Sequence, residues 1–271
     1  MHLCAYFGWG KVKKGRNSLQ IMRDTVHALI MREIKTRFGS NHLGYFWAIV
    51  EPVAAVAVMG VVFTLLGRSS FANIPVVLFL FTAMLPFSLF SKLMNQLSSA
   101  VSANKALLVY RQVSAIDPVL TRVLIELATY LLVYCIVFTC LAWIGFDVLP
   151  TDLLKVLAAS GLLALMSIGL GLMLCSAMSY WQDTEKVVGI ITRPLFFVSG
   201  VLYSATMIPP KFWYLLDWNP VFHAMELSRD AFFSAYITPI GSWSYLSLSA
   251  LVSFSLGLTT FYVNRSRFIS I

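Results

Sequence analysis

Charged residues are scarce in this sequence, and the short motifs of several common enzyme classes are missing from it. Only 12% of its 271 residues are Asp, Glu, Lys or Arg, whereas a soluble globular domain contains about a quarter. There is no HExxH zinc motif, no GxSxG nucleophile turn and no GxxxxGK(S/T) phosphate loop. The four cysteines lack the spacing of metal ligands. These absences argue against a soluble domain, against the enzymes that carry those motifs and against a cysteine metal site.

Long apolar runs fill most of the chain instead. Hydrophobic residues make up 59% of the sequence, and its mean hydropathy is +0.79. A membrane-spanning helix needs about 20 mainly apolar residues, and six segments are long enough. We therefore predict an all-α integral membrane protein with six transmembrane helices, forming a single transmembrane domain over 44–265. The predicted spans are roughly 44–67, 75–97, 118–145, 153–179, 187–206 and 243–263.

The basic residues are divided unevenly between the two sides of these spans. Sixteen of the 20 Lys and Arg lie in the N-terminal segment, in the 92–122 and 180–193 regions or at the C-terminus. Because cytoplasmic loops collect positive charge, both termini are predicted to be cytoplasmic. The net charge of +8 then needs no nucleic acid partner. The alternate side carries the other four: Arg68, Lys155, Lys211 and Arg229.

The chain before the first span is predicted to have two parts. Residues 1–17 begin with a short apolar stretch followed by a basic cluster, the reverse of a cleaved signal peptide, so we predict a variable extension. Residues 18–43 are predicted to form an amphipathic helix in the cytoplasmic interface, either with basic residues towards anionic lipid or with an anchoring role alone. Its apolar positions are Leu19, Met22, Val26, Ile30, Ile34 and Phe38.

The segment between the second and third spans, Ser98 to Asp117, is moderately amphipathic. Lys105 and Arg111 lie in it among apolar residues. A short cytoplasmic helix with an apolar face needs a partner or the membrane surface to cover that face. We predict a helix that docks another protein, with a plain connector as the alternative.

The segment between the fifth and sixth spans, Ser204 to Ser242, is too aromatic for a solvated loop. It is also interrupted by prolines, at Pro209-Pro210, Asn219-Pro220 and Pro239. Non-spanning apolar helices at membrane depth persist only against protein or a water-filled cavity. We predict two short re-entrant or interfacial helices, one on each side of Pro220.

Polar residues share one face of the helix predicted after Pro220. His223, Glu226 and Asp230 fall at i, i+3 and i+7. His223 and Glu226 offer two metal ligands, but no further His or Cys cluster completes a site. Glu226 and Arg229 are predicted to neutralise each other, since an unpaired charge at membrane depth is costly. If that is their whole task, exchanging the two charges should preserve function better than removing either one.

Further ionisable residues lie within the predicted spans, where they are rare and often functional. Glu51 lies just before Pro52 in the first span and either pairs with another helix or lines a pathway. Arg122 and Glu126 lie four residues apart in the third span. Their spacing predicts a structural ion pair.

Three stretches make the sequence resemble a known transporter family. "MREIKTRFGSNHLGYFWAIVEP", Met31 to Pro52, looks like the N-terminal signature of type-2 ABC exporter permeases. "WQDTEKVVGIITRPLFFVSGVLYSATMIP", Trp181 to Pro209, resembles the fifth-span region of the polysaccharide-exporting branch, with SG where many drug exporters have SP. "NPVFHAMELSRDAFF" resembles a segment of capsule polysaccharide export permeases. The resemblance extends over about residues 20–265.

The resemblance implies a homodimer that works with two separate ATPase subunits. Those subunits would bind ATP and Mg, so no cofactor or metal is expected in this chain. The implied cargo is a lipid-linked capsular polysaccharide moved outward across the inner membrane, with a periplasmic adaptor and an outer-membrane channel continuing the path in Gram-negative systems. Export of O-antigen or teichoic acid is the alternative, followed by export of a small drug or lipid, and then by a membrane-embedded transferase.

The resemblance and the residue patterns together nominate three groups of site residues. Aromatic side chains suit a conduit because they stack on sugar faces, although they also anchor at lipid interfaces. The residues predicted to contact the ATPase are Lys105, Leu108, Tyr110, Arg111, Asp183 and Glu185. The predicted outer seam, or exit gate, consists of His223, Glu226, Arg229 and Asp230. The predicted conduit lining is Tyr45, Trp47, Glu51, Phe87, Phe197 and Tyr203.

Overall fold

A computed structural model describes residues 18–38, 44–67, 70–71, 74–110, 113–181 and 183–270. The described chain is mainly helical, with one two-stranded antiparallel hairpin and three short 3-10 helices. The hairpin consists of β1 (Ser70–Phe71) and β2 (Ile74–Pro75), and the 3-10 helices are Ser102–Leu107, Ala205–Met207 and Pro210–Leu215. The α-helices are α1 (Ser18–Phe38), α2 (Gly44–Leu65), α3 (Val76–Ser98), α4 (Ile116–Trp143), α5 (Leu153–Met178), α6 (Thr184–Val198), α7 (Pro220–Phe232), α8 (Trp243–Val263) and α9 (Arg267–Ser270).

Four helices among the described residues are long and apolar enough to cross a membrane. They are α3, α4, α5 and α8. The described apolar part of α2, Val50–Leu65, is shorter, and α6 has only 15 residues. The chain is therefore a helical membrane protein with four candidate spans, and the count of six stays a prediction.

Helix α6 ends earlier than the predicted span 187–206. Its last residue is Val198, and Gly200 follows with a φ of 68°, a left-handed conformation that suits glycine. A side chain on Gly200 would also meet the ring of Phe222 at 2.5 Å. The carbonyl groups of Val201 and Tyr203 then accept hydrogen bonds from Arg229 and not from helical amides. Hydropathy alone did not reveal this break, because the residues beyond it are still apolar.

Helices α5 and α8 pack closely against each other. A Cβ on Gly169 would lie 2.3 Å from the Ser253 carbonyl oxygen, and one on Gly257 would lie 2.3 Å from the Gly169 carbonyl oxygen. Small residues allow helix backbones to approach this closely in membranes. Helix α3 is mostly buried beside this pair, whereas α8 exposes most of its outer surface.

The connections between helices gather at two ends of the molecule. At one end, the α4–α5 connection is bonded to the end of α7: Thr151 N donates to Phe232 O at 3.1 Å, and Asp152 N donates to Ala231 O at 3.0 Å. At the other end, α1 and α9 contact the start of α4 and the α3–α4 loop, respectively. The described parts of both terminal regions therefore lie at the same end.

Helix α1 packs on α4 close to the apolar face predicted for it. Among its described side chains, Leu29 and Glu33 are buried, Val26, Ile30 and Ile34 are half-buried, and Met22 is exposed. Glu33 Oε1 lies 3.4 Å from Arg122 Nε in α4. This ion pair brings a charged residue into the contact between the two helices, which the spacing of apolar residues does not predict.

Candidate functional site

The outer seam of α7 is built around a buried ion pair. Arg229 Nη1 lies 3.2 Å from Glu226 Oε1, and both side chains are 0% exposed. The guanidinium also donates to the Tyr203 carbonyl at 2.8 Å and to the Val201 carbonyl at 2.9 Å. Its centre lies 4.0 Å from the centre of the Phe79 ring in α3. Arg229 therefore fixes the segment after α6 against both α7 and α3.

Glu226 accepts hydrogen bonds from residues that precede α7 and from residues that follow it. Its Oε2 accepts from the hydroxyl of Tyr236 at 2.5 Å and from the hydroxyl of Thr238 at 3.1 Å. Its Oε1 accepts from the Ala205 amide at 3.3 Å in addition to Arg229. Burial and the neighbouring carboxylate raise the pKa of Tyr236, so its hydroxyl remains a donor. The carboxylate thus joins the 3-10 segment before α7 to the loop after it.

His223 and Asp230 complete the seam by binding the same loops. The amide of Ser242 donates to His223 Nδ1 at 3.2 Å, so the proton lies on Nε2, which donates to the Asp217 carbonyl at 2.7 Å. Asp230 Oδ1 accepts from the Thr238 amide at 3.1 Å. Helix α7 itself begins at a cap in which Asn219 accepts from the Val221 amide at 3.0 Å, with Pro220 at the first helical position.

This arrangement holds loops together. His223, Glu226 and Arg229 are buried and bonded within the chain, away from its surface. Among the described residues, no group of three or more His, Cys, Asp or Glu is placed to hold a metal ion. The seam was predicted as an exit gate, which stays a prediction; its geometry is that of a clamp between loops.

The residues predicted to line a conduit come from several elements, and their role stays a prediction. Trp47 and Phe197 are exposed, on α2 and α6 respectively. Phe87 is buried, packed edge-on against Phe196 at 5.3 Å between ring centres, so it faces the core of the subunit. The side chain of Tyr45 lies outside the described residues.

Glu51 and Tyr203 have partners within the chain. Lys92 Nζ lies 3.1 Å from Glu51 Oε2, which joins α2 to α3. This contact corresponds to the first of the two roles considered for Glu51, pairing with another helix. The hydroxyl of Tyr203 donates to the Val198 carbonyl at 3.2 Å, beside the end of α6.

In the described part of the α3–α4 loop, the only helix is the six-residue 3-10 helix Ser102–Leu107, which is shorter than the amphipathic helix expected over 98–117. Leu108 is 8% exposed and faces inward, which corrects its assignment to a contact surface. Val109, at 84%, and Tyr110, at 64%, are large apolar residues of this loop that are exposed, and Lys105 is also exposed. Arg111 lies outside the described residues.

The α5–α6 loop lies at the same end and is also exposed. Asp183 forms a surface ion pair with Lys186 at 2.7 Å. Tyr180 and Trp181 expose most of their side chains just before it. The side chain of Glu185 lies outside the described residues.

Sequence reasoning missed the polar contacts that hold the α3–α4 loop. Asn104 is buried, donates to the Ala100 carbonyl at 2.9 Å and accepts a hydrogen bond from Arg32 of α1. Arg122 donates to the Gln96 carbonyl at 2.5 Å and to the Ser99 hydroxyl at 3.0 Å. Partners separated by 23 to 72 residues leave no spacing signal. The only hint was a polar Asn in a loop otherwise expected to present an apolar face.

Comparisons with known proteins place the chain in a family. Residues 25–233 match the family model described as ABC-2 type transporter. The chain is 34% identical to the polysialic acid transport protein KpsM of Escherichia coli over 91% of this chain and 95% of the relative. It is 31% identical to the capsule polysaccharide export inner-membrane protein CtrC of Neisseria meningitidis, over 89% of this chain and 91% of the relative. It is 28% identical to the capsule polysaccharide export inner-membrane protein BexB of Haemophilus influenzae, over 90% of this chain and 92% of the relative. The chain belongs to the ABC-2 type transporter family.

Proposed function

We propose that the chain is the permease subunit of an ATP-driven exporter that moves lipid-linked capsular polysaccharide outward across the bacterial inner membrane. The observation that carries this proposal is the similarity to three capsule or polysialic acid exporters over about nine-tenths of each chain. The family match over residues 25–233 includes α3, α4, α5 and α7, so the similarity is not the product of one shared motif.

The ATP would be hydrolysed by a separate subunit, with its Mg. The sequence contains no phosphate loop, and the α7 seam has no catalytic arrangement. Family membership implies that an ATPase works with this chain. The surface proposed for that contact is the end that carries Val109, Tyr110 and Trp181, all of them exposed.

The proposed topology places that end in the cytoplasm. The described parts of both terminal regions lie there, and the basic residues of the sequence are predicted to be mostly on that side. Six spans, with α2 and α6 added to the four longer helices, are part of the proposal. A homodimer with two ATPase subunits, a periplasmic adaptor and an outer-membrane channel complete it.

The conduit is proposed to form between two copies of the chain. Exposed Trp47 and Phe197 can contact a second subunit, sugar or lipid, whereas Phe87 cannot, because it is buried within one subunit. The α7 seam would hold the outer segment that closes the far end. Because the hydrogen bonds and ion pair of the seam are buried, we expect that segment to be held rigidly and not to act as a mobile lid.

The proposal is tested by deleting the gene for this chain and measuring polymer on the cell surface. We expect capsular polysaccharide to disappear from the surface, to accumulate inside, and to return when the chain is supplied again. In reconstituted vesicles, ATPase activity of the complex should rise with lipid-linked capsular polymer and not with small drugs. Loss of O-antigen or teichoic acid with normal capsule would favour the alternative cargo. Transferase activity of the purified chain alone would contradict a transport role.

A further inference from the structure

The C-terminal helix α9 packs beneath the α3–α4 loop. Phe268 is 5% exposed, and its ring centre lies 5.0 Å from that of Phe261 at the end of α8. Both rings belong to one apolar cluster with Leu97, Ala100, Val101, Leu108, Val119, Leu172 and Cys175. Leu108, the inward-facing residue of the loop, is thus held by the same cluster that buries Phe268.

The same C-terminal region also holds the α5–α6 loop. The guanidinium of Arg267 lies 3.8 Å from the centre of the Tyr180 ring, a cation–π contact. The hydroxyl of Tyr180 donates to Asn264 Oδ1 at 2.5 Å. A direct link joins the two loops as well, because the Ser102 hydroxyl lies 3.6 Å from the sulfur of Met178 at the end of α5.

These contacts bring exposed apolar residues of two loops to one end of the molecule. Val109 and Tyr110 come from the α3–α4 loop, and Tyr180 and Trp181 come from the α5–α6 loop. A 3-10 helix of six residues is too short to be stable by itself, and loops have few contacts of their own. The position of this surface therefore depends on the residues that pack against its inner side. The C-terminal region with α9 contacts both the α3–α4 loop and the α5–α6 loop.

We propose that α9 is a brace that sets the position of the surface on which the ATPase subunit docks, with Phe268 as the positioning residue. This inference rests on the proposed function, since it takes the ATPase as the partner. Phe268 does not touch the partner. It acts by keeping Leu108 in the apolar cluster, and Arg267 holds Tyr180 of the α5–α6 loop in place beside the same cluster.

The test uses the full chain with its ATPase subunit and two thiol readouts. In the first, Cys4, Cys135 and Cys140 are replaced by Ala, and labelling of native Cys175 with N-ethylmaleimide reports on the cluster. Cys175 is 3% exposed, so it should be protected. In the second, a photo-cross-linker on Tyr110→Cys, in a background without other cysteines, reports on contact with the ATPase.

Phe268→Ala should raise labelling of Cys175 several-fold and lower cross-linking to the ATPase several-fold. Phe268→Leu, which keeps an apolar side chain in the cluster, and Ser266→Ala, an exposed neighbour, should leave both readouts near the wild-type values. Unchanged labelling in Phe268→Ala would overturn the brace. Raised labelling with unchanged cross-linking would overturn its role in docking.

Two further outcomes are distinguishable. If the wild-type chain keeps Cys175 protected but Tyr110→Cys never cross-links to the ATPase, the proposed function fails at this surface and the docking role of α9 fails with it. If Phe268→Ala does not accumulate in membranes, Arg267→Ala tests the brace without opening the cluster. Cross-linking from Trp181→Cys should then fall several-fold, and an unchanged yield would contradict the inference.

Discussion

At the scale of single residues, Arg229 and Glu226 show how a charge persists in an apolar interior. Each has several partners besides the other: two backbone carbonyls for Arg229, and two hydroxyls and an amide for Glu226. Removing one member of a buried pair leaves the other charge uncompensated, which costs about 3–5 kcal/mol. Stability and function therefore depend on the whole set of bonds around the pair.

We expect Arg229→Gln and Glu226→Gln each to reduce the amount of folded chain in membranes sharply and to abolish export. The matched control is Lys155→Gln, which removes an exposed pair with Asp152 at the same i, i+3 spacing. Exposed pairs contribute about 0–1 kcal/mol, so this variant should accumulate and export normally. Immunoblots of membranes and surface polymer measure both effects, and normal export by either seam variant would contradict the clamp.

The charge-swapped double variant should not rescue the seam. The sequence alone favoured rescue, on the assumption that the two charges only neutralise each other. In the structure, a carboxylate at position 229 would face the carbonyls of Val201 and Tyr203, which also carry negative partial charge. An export level near wild type in the swapped variant would show that neutralisation is enough.

Tyr236→Phe should destabilise the chain by about 1–3 kcal/mol, because it leaves a buried carboxylate oxygen short of a donor. Burial raises the pKa of Tyr236, so the folded chain keeps its proton when the unfolded chain loses it near pH 10. Stability from this group is complete below about pH 10 and is lost above it. Denaturation of the purified chain should show a smaller alkaline loss for Tyr236→Phe than for wild type, with exposed Tyr214→Phe unchanged from wild type.

At the scale of secondary-structure elements, the pairing of α5 with α8 depends on two glycines. Helices in a membrane gain little from burying apolar surface against each other, so close packing and small residues hold them together. Gly169 and Gly257 place each backbone against the other. The outer side of α8 is exposed, for example at Leu248, Leu251 and Leu258, and can face lipid or a second subunit.

Gly257→Ala should weaken this pair. The new methyl group would lie 2.3 Å from the Gly169 carbonyl oxygen, and relieving such an overlap costs about 1–3 kcal/mol. Gly161→Ala in α5 is the control, since its methyl group meets no atom within 4 Å. Unfolding in mixed micelles should distinguish the two variants. Equal stability would mean that the helices separate more easily than the structure indicates.

At the scale of the whole molecule, the two ends carry different tasks. One end holds the α7 clamp beside the α4–α5 connection, and the other holds the two loops and α9. The distance between them is that of a spanning helix, about 1.5 Å per residue over the 26 residues of α5. Under the proposed function, ATP-driven movement at the loop end would have to reach the α7 end through the helices.

An impermeant thiol reagent applied to intact cells with a permeabilised outer membrane tests this orientation. Lys211→Cys and Trp218→Cys, both exposed near α7, should react in a chain that otherwise lacks cysteine. Tyr110→Cys should react only in inside-out vesicles. Labelling of Tyr110→Cys in intact cells would reverse the proposed topology.

Much of the fold and part of the site could be predicted from the sequence. Hydropathy located the long helices, because each needs about 20 apolar residues whatever its neighbours are. The Glu226 and Arg229 pair followed from local spacing on a helix. Leu108 was assigned to the surface wrongly, because an apolar residue in a short loop can face a partner or its own core, and only packing decides between them.

The sequence by itself determined that the chain lies in a membrane, because it has few charges and long apolar runs. Its capsule-exporter motifs also indicated one class of transporter. Only the tertiary structure decided which residues meet across long separations, including Arg32 with Asn104, Glu33 with Arg122, and Phe268 with the loop cluster. The physical reason is that hydropathy and helical spacing act over neighbouring residues, whereas ion pairs and apolar clusters depend on where separate helices end. The seam of α7, which local spacing presented as a row of polar residues, became a buried clamp once the loops on both sides of it were in place.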